Sequence, residues 1–314
     1  MLEASNLVKN YISAGYNKIH LDTSMGCKGE PEALTDEISA LRTIKLLKIA
    51  EETAKKNNFK LPYYIIGTEV PAPGGANHLL NEITPTTPMA AKKTIDTHVS
   101  LIKNEGLGEI IPRIIGLVVQ PGVEFGNQNI IRYDRKKVTT LCNVLKDYPN
   151  WIFEAHSTDF QSKHKLAELV KDGFSILKVG PELTFSLREG LYALDLIAGE
   201  LSHSYGNRPL YKTMEQLMVA TPSHWENYYF GNNTEKYFQR HYSLSDRIRY
   251  YWDQEAAKNA TKHLFETLKD KKIPSTLINQ FLPSAKKFAD KSLNPRDLII
   301  SKITENLKSF TEVC

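Results

Sequence analysis

Trp151–Ser157 reads WIFEAHS, and this short stretch decides the fold. Its first half is apolar on both faces, so it needs cover above and below, as a strand buried in a parallel sheet does. Its second half turns polar at Glu154, His156 and Ser157. Four more runs share this character: Lys18–Ser24 (KIHLDTS), Tyr63–Glu69 (YYIIGTE), Ile114–Gln120 (IIGLVVQ) and Ser175–Gly180 (SILKVG). Between and after them, helical periodicity fills Thr35–Lys56, Pro88–Asn104, Asp134–Lys146, Ser162–Lys171 and Leu183–Leu201. Strands alternating with helices are βα units. Each strand ends on polar side chains: Asp22 and Ser24, Thr68 and Glu69, Gln120, then Glu154 and His156, and finally Lys178 just before Gly180. In (β/α) barrels that C-terminal rim carries the chemistry. No G-x-G-x-x-G follows the first strand, which counts against a dinucleotide-binding sheet. The expectation is an α/β protein of the (β/α)8 TIM-barrel type.

The strand count falls short of that barrel, with five of eight βα units, preceded by a helix over Glu3–Ala14. Lys18–Ser24 would then be an exposed sheet edge, which stable proteins avoid. After Leu201 no strand-like run follows. Helices are expected at Lys212–Val219, from Leu244–Trp252 onward to Leu268, at Ser275–Lys286 and at Pro295–Thr311, with Asn207, Pro209, Pro222 and Gly231–Asn233 as loops. Residues 1–203 read as a partial barrel and 204–314 as a helical extension packed on it. The aromatic residues crowding 225–252 read as that packing surface.

Composition narrows the function classes. The chain has 314 residues, with 40 Lys+Arg against 36 Asp+Glu and the excess scattered, so nucleic acid is not the expected partner. No apolar run approaches the ~20 residues of a membrane span, and the N-terminus lacks a signal-peptide core. The three cysteines, Cys27, Cys142 and Cys314, lie far apart and read as reduced thiols of a cytoplasmic protein.

If the strands are barrel neighbours, Asp22, Glu69, Glu154, His156 and Lys178 share one bowl and are the catalytic candidates. Carboxylates with an imidazole suit a divalent metal such as zinc, with Glu69 and His156 as candidate ligands, or general acid–base work beside a sugar carbonyl. His20 alternates with Asp22 and reads as either core or rim. His98 and His164 read as surface or groove residues on helices. Gly180 opens a helix, and free N–H groups at such a turn suit a phosphate. The phosphate or sugar contacts expected are Ser24, Gln120, Lys178, Gly180, Thr184 and Arg188. No G-x-x-x-x-G-K-[ST] occurs, which excludes a P-loop kinase.

Six segments together carry a family resemblance: HLDTSMGCKGEP (20–31), YIIGTEVPAPGG (64–75), VVQPGVEF (118–125), EAHSTDFQ (154–161), ILKVGPELTFSLRE (176–189) and HYSLSDRIRYYW (241–252). The chain resembles the non-catalytic subunit of D-tagatose-1,6-bisphosphate aldolase, a family also labelled tagatose 6-phosphate kinase. The resemblance implies a barrel related to class II aldolases, in galactitol and N-acetylgalactosamine degradation. It also implies further barrel units and a Gly-Gly-Asp-His-Leu-Gly-Pro motif ahead of the segment matching Leu7–Asp22; that motif is absent here. The leading expectation is therefore an accessory subunit supporting a catalytic class II aldolase partner. The alternatives are a metal-dependent ketohexose-phosphate enzyme, such as a tagatose 6-phosphate 4-epimerase, and then a sugar-phosphate kinase.

Overall fold

A computed structural model describes residues 1–31, 34–67, 83–292 and 294–314. Five strands form one parallel sheet: β1 (Lys18–His20), β2 (Tyr63–Ile66), β3 (Ile114–Val118), β6 (Ile152–Ala155) and β7 (Ile176–Leu177). Their order is β1-β2-β3-β6-β7, with every neighbour sequential and no reversal of the kind that defines a doubly wound sheet. Strands form within all five runs read from the sequence and are shorter than the runs; in the runs beginning at Lys18 and Trp151, polar residues after the strand leave the ladder.

The sheet curls. In a flat sheet, four strand spacings of about 4.8 Å would hold β1 and β7 about 19 Å apart. Yet Lys178 Nζ, just past β7, lies 3.1 Å from His20 Nδ1 on β1. The result is a half-barrel with a concave inner face, and β1 is paired on one edge only among the described residues.

Helix α1 (Leu2–Ser13) precedes the first strand, and five helices follow the sheet strands in order: α2 (Asp36–Lys56), α3 (Pro88–Asn104), α4 (Arg135–Cys142), α5 (Lys163–Lys171) and α6 (Pro181–Leu201). Thr35, Thr87 and Ser162 cap α2, α3 and α5, each side-chain oxygen accepting a first-turn N–H. Ile19 on β1 and Leu21 just past its end are buried in one apolar cluster with Val8 and Ile12 of α1 and Leu47 of α2. The expected exposed strand thus has a covered face and only an open edge. At the sheet's N-terminal end Glu51 pairs with Arg113 and accepts from the Tyr64 hydroxyl at 2.6 Å. This tie joins α2 to the starts of β2 and β3.

A second apolar cluster lies among α6 and the later helices α7 (Pro209–Ala220), α8 (Asn233–Tyr242), α9 (Glu255–Leu268), α10 (Ser275–Phe281) and α11 (Pro295–Thr311). Leu298 and Ile299 at the start of α11 belong to this cluster, while Phe310 at its end belongs to the sheet's.

The structure corrects the reading at several places. Pro209, read as loop, opens α7, and the helix expected over Ser275–Lys286 breaks at Leu282 into α10 and a 3-10 segment over Pro283–Phe288. A short antiparallel hairpin, β4 (Glu124–Phe125) with β5 (Ile130–Ile131), follows β3; two-residue strands are too short to show a period. The Asn-rich stretch read as loop starts α8, because Asn232 and Glu235 form a reciprocal capping box. Leu244–Trp252 is not a continuous helix but contains a 3-10 turn over Arg247–Tyr251, and α9 begins only at Glu255.

Candidate active site

Alternation along β6 puts Glu154 and His156 on one face, and that face is the concave one. Glu154 is fully buried, and its Oε1 lies 2.9 Å from His156 Nε2, 3.2 Å from His20 Nδ1 and 3.2 Å from Lys178 Nζ. Lys18, two residues before His20 on β1, approaches Oε2 at 3.4 Å. Burial alone would raise the Glu154 carboxyl. Hydrogen bonds from His156 and His20, with the Lys178 charge, outweigh it and hold the group well below the usual carboxylate range.

Backbone contacts position two members of the cluster. The Lys178 N–H donates to Ala155 O at 2.9 Å and its carbonyl accepts from the Thr158 hydroxyl at 2.6 Å, locking the end of β7 to β6. His20 Nε2 meets the Gly67 carbonyl at 3.2 Å. Gly67 has φ +86°, and a Cβ there would stand 2.6 Å from Leu117 Cδ1, so only glycine lets β2 end this way.

Ligand atoms of His20, Glu154 and His156 all lie within 4.8 Å of one another. Two imidazoles and an ionised carboxylate converging at a strand-end rim are the donor types of a first-row divalent cation. His156 and Glu154 were legible as strand-end residues. The sequence alone does not decide His20 between core and rim, because its partners follow β6 and β7 or lie on them, far away in sequence.

The remaining expected residues divide. Asp22 is exposed and outside the donor cluster; its Oδ1 accepts from the Ser24 hydroxyl at 2.8 Å. Ser24 and Gln120 do come together, lining a cavity of about 390 Å³ with Gly67 and Thr86. Gln120 Oε1 accepts from Gly122 N and Val123 N, shaping the turn after β3. Glu69 lies outside the described residues.

The expected phosphate turn is filled from within. The N–H groups of Gly180 and Glu182 donate to Asp159 Oδ1 at 2.9 and 2.8 Å, and Glu182 returns the bond by accepting from Phe160 N at 2.6 Å. Thr184 donates to Pro181 O at 3.1 Å. A buried carboxylate of the chain itself thus occupies the helix terminus that the sequence offered to a ligand. Arg188 is also outside the bowl, paired with Asp246 at 2.8 Å. His98 is fully buried rather than on the surface, its Nδ1 2.8 Å from Thr94 O, and His164 is exposed as expected. All three cysteines are free.

The whole chain, residues 1–314, matches the family described as D-tagatose-1,6-bisphosphate aldolase subunit GatZ/KbaZ-like. A relative from Agrobacterium fabrum named D-tagatose 6-phosphate 4-epimerase is 46% identical over 310 residues, covering 99% of this chain and 73% of that protein. A solved structure of a probable tagatose 6 phosphate kinase from Sinorhizobium meliloti superposes with TM-score 0.87 at 42% identity, covering 98% of this chain and 75% of that one. Sequence match and shared architecture agree along the full length, and the chain belongs to the D-tagatose-1,6-bisphosphate aldolase subunit GatZ/KbaZ-like family.

Proposed function

We propose that this chain is a metal-assisted 4-epimerase of ketohexose phosphates, with tagatose 6-phosphate the substrate suggested by the relative of that name. The observation that carries it is the convergence of His20, Glu154, His156 and Lys178 inside the concave face. A purely structural interior has no need of a buried carboxylate ringed by two imidazoles and two lysines.

The chemistry follows from the position of the stereocentre. In a 2-ketose, C4 lies beyond the carbon that the carbonyl acidifies, so simple proton removal at C4 is not assisted. The bond that the carbonyl does assist is C3–C4. Loss of the C4 hydroxyl proton opens that bond, leaving an aldehyde at C4 and the electron pair in an enediolate over C2 and C3. Turning the aldehyde and reforming the bond inverts C4 and returns the proton. His20, Glu154 and His156 would hold a divalent cation, which would polarise the C2 carbonyl as a Lewis acid. Lys178, which lies closer to these donors than Lys18 does and is not itself one of them, is placed to hold negative charge developing on oxygen. The 390 Å³ cavity with Ser24 and Gln120 shares Gly67 with this cluster and offers hydroxyl and amide groups to the sugar.

The test is conversion of tagatose 6-phosphate to fructose 6-phosphate by protein loaded with zinc, manganese or cobalt, followed by carbon-13 NMR in deuterated water. The expected product carries no deuterium at C4. Absence of the epimer with every metal defeats the reading. The family description favours a second reading, an accessory subunit of a catalytic aldolase; co-purification with that subunit, with enhanced aldolase activity and no epimerase turnover, would select it.

A further inference from the structure

Away from the strand-end cluster, α6 faces a cavity of about 460 Å³ closed by the start of α7, the end of α8 and the loop after α10. None of its lining side chains belongs to the proposed catalytic group. Its floor is Arg188, 2% exposed, whose Nε bonds Asp246 Oδ1 at 2.8 Å while its own Nη2 and the Asp246 Oδ2 are each buried without a hydrogen-bond partner. Opposite stands Arg208, whose Nε is also buried and unpartnered and which has no carboxylate partner among the described residues. The Arg208 guanidinium is stacked 3.8 Å over the Tyr211 ring, and that of Arg188 lies 4.1 Å from the Phe185 ring centroid. Arg208 is therefore held by an aromatic plane without an acid, and Arg188 by both Asp246 and an aromatic ring, with a donor left over on each.

Charge at the cavity does not balance. Arg188 is matched by Asp246 and Lys302 by Glu189 at 3.1 Å, which leaves Arg208 in excess. His241, bonded to the Tyr192 hydroxyl on the cavity wall, responds to this field: burial first, then the charges of Arg240, Arg188 and Arg208, push it down to about 3. A desolvated donor costs free energy unless an acceptor arrives. Planar guanidinium donors prefer the paired oxygens of a phosphate or carboxylate. Tyr242 and Ser284 add hydroxyl groups to the lining, and Phe281 with Phe185 gives it apolar walls.

We infer that this cavity is a binding site for a small phosphate monoester, with Arg188 and Arg208 clasping the phosphate and the aromatic walls receiving the organic portion. It stands independently of the epimerase reading, since the two residue sets do not overlap.

The experiment titrates the full chain with inorganic phosphate by calorimetry at constant ionic strength, with acetate and chloride as comparison anions. Arg208→Gln is the principal variant, because Arg208 has no ion pair whose loss would unfold the protein; Ser284→Ala is the milder one. His156→Ala reports on the strand-end cluster. Saturable phosphate binding is expected in the wild type and in His156→Ala. It should weaken about 10-fold or more in Arg208→Gln, the loss of one charge-assisted donor pair, and only slightly in Ser284→Ala. Phosphate binding unchanged in Arg208→Gln would overturn the site, as would binding abolished by His156→Ala or a response to phosphate no different from that to chloride.

Discussion

Replacing Glu154 with glutamine removes one negative charge from the centre of the half-barrel while keeping its shape. The carboxylate is fully buried, whereas the Lys178 and Lys18 side chains are 43% and 41% exposed. The lysines can turn to water once the charge is gone, so their pairs contribute at most about 1 kcal/mol each after screening. The imidazoles of His156 and His20 are enclosed, at 6% and 9% exposure, and their bonds to a charged acceptor contribute about 1.5–3 kcal/mol each. Glutamine keeps a neutral oxygen able to accept one of them, which returns part of that sum. The net loss expected for metal-free Glu154→Gln is about 2–4 kcal/mol, overlapping the lower part of the range of about 3–5 kcal/mol for breaking a buried ion pair. Denaturant titration in a chelating buffer measures it. Equilibrium dialysis with zinc should show affinity reduced at least about 100-fold, more than the loss of a supporting partner causes. A variant that unfolds at the wild-type denaturant midpoint and binds zinc equally well would refute both the electrostatic accounting and the donor assignment.

Other outcomes follow from the rim. Burial, with Asp159 and Glu189 nearby, raises the Glu182 carboxyl to about 7 against the opposing Phe160 N–H bond. Its contribution to stability is complete below the unfolded value near 4.5 and is lost as pH rises through 7, so Glu182→Gln should gain on the wild type by about 1–3 kcal/mol between pH 5 and 8. Thermal melts across that range check it, and a constant difference would contradict the sign. Asp159→Ala leaves the Gly180 and Glu182 N–H groups unpaired and should cost about 1–3 kcal/mol, seen as faster amide exchange at the start of α6. Gly67→Ala must hold φ +86° against Leu117 and should lower stability by more than about 1 kcal/mol, with weaker zinc binding because the Gly67 carbonyl orients His20.

What the sequence determined by itself was everything carried by short-range periodicity. Doubly apolar runs separated by amphipathic helices gave the parallel strands in order, and alternation placed Glu154 and His156 on one face of β6. The Thr35 cap of α2 belongs to the same class, because a cap is a local hydrogen bond. The same kind of signal at Asn232 and Glu235 was present but hidden by the turn-like composition around it. Tertiary structure decided the rest, because it depended on curvature and on partners distant in the chain. His20 joins Glu154 only because the sheet curls far enough to bring β1 against β6 and β7. The helix terminus at Gly180 is closed to an external anion because Asp159, 21 residues earlier, folds back under it. Arg188 turns from the bowl because Asp246, 58 residues later, holds its Nε. No local period encodes a distance across a curved sheet, so the elements were written in the sequence while the meeting of their side chains was not.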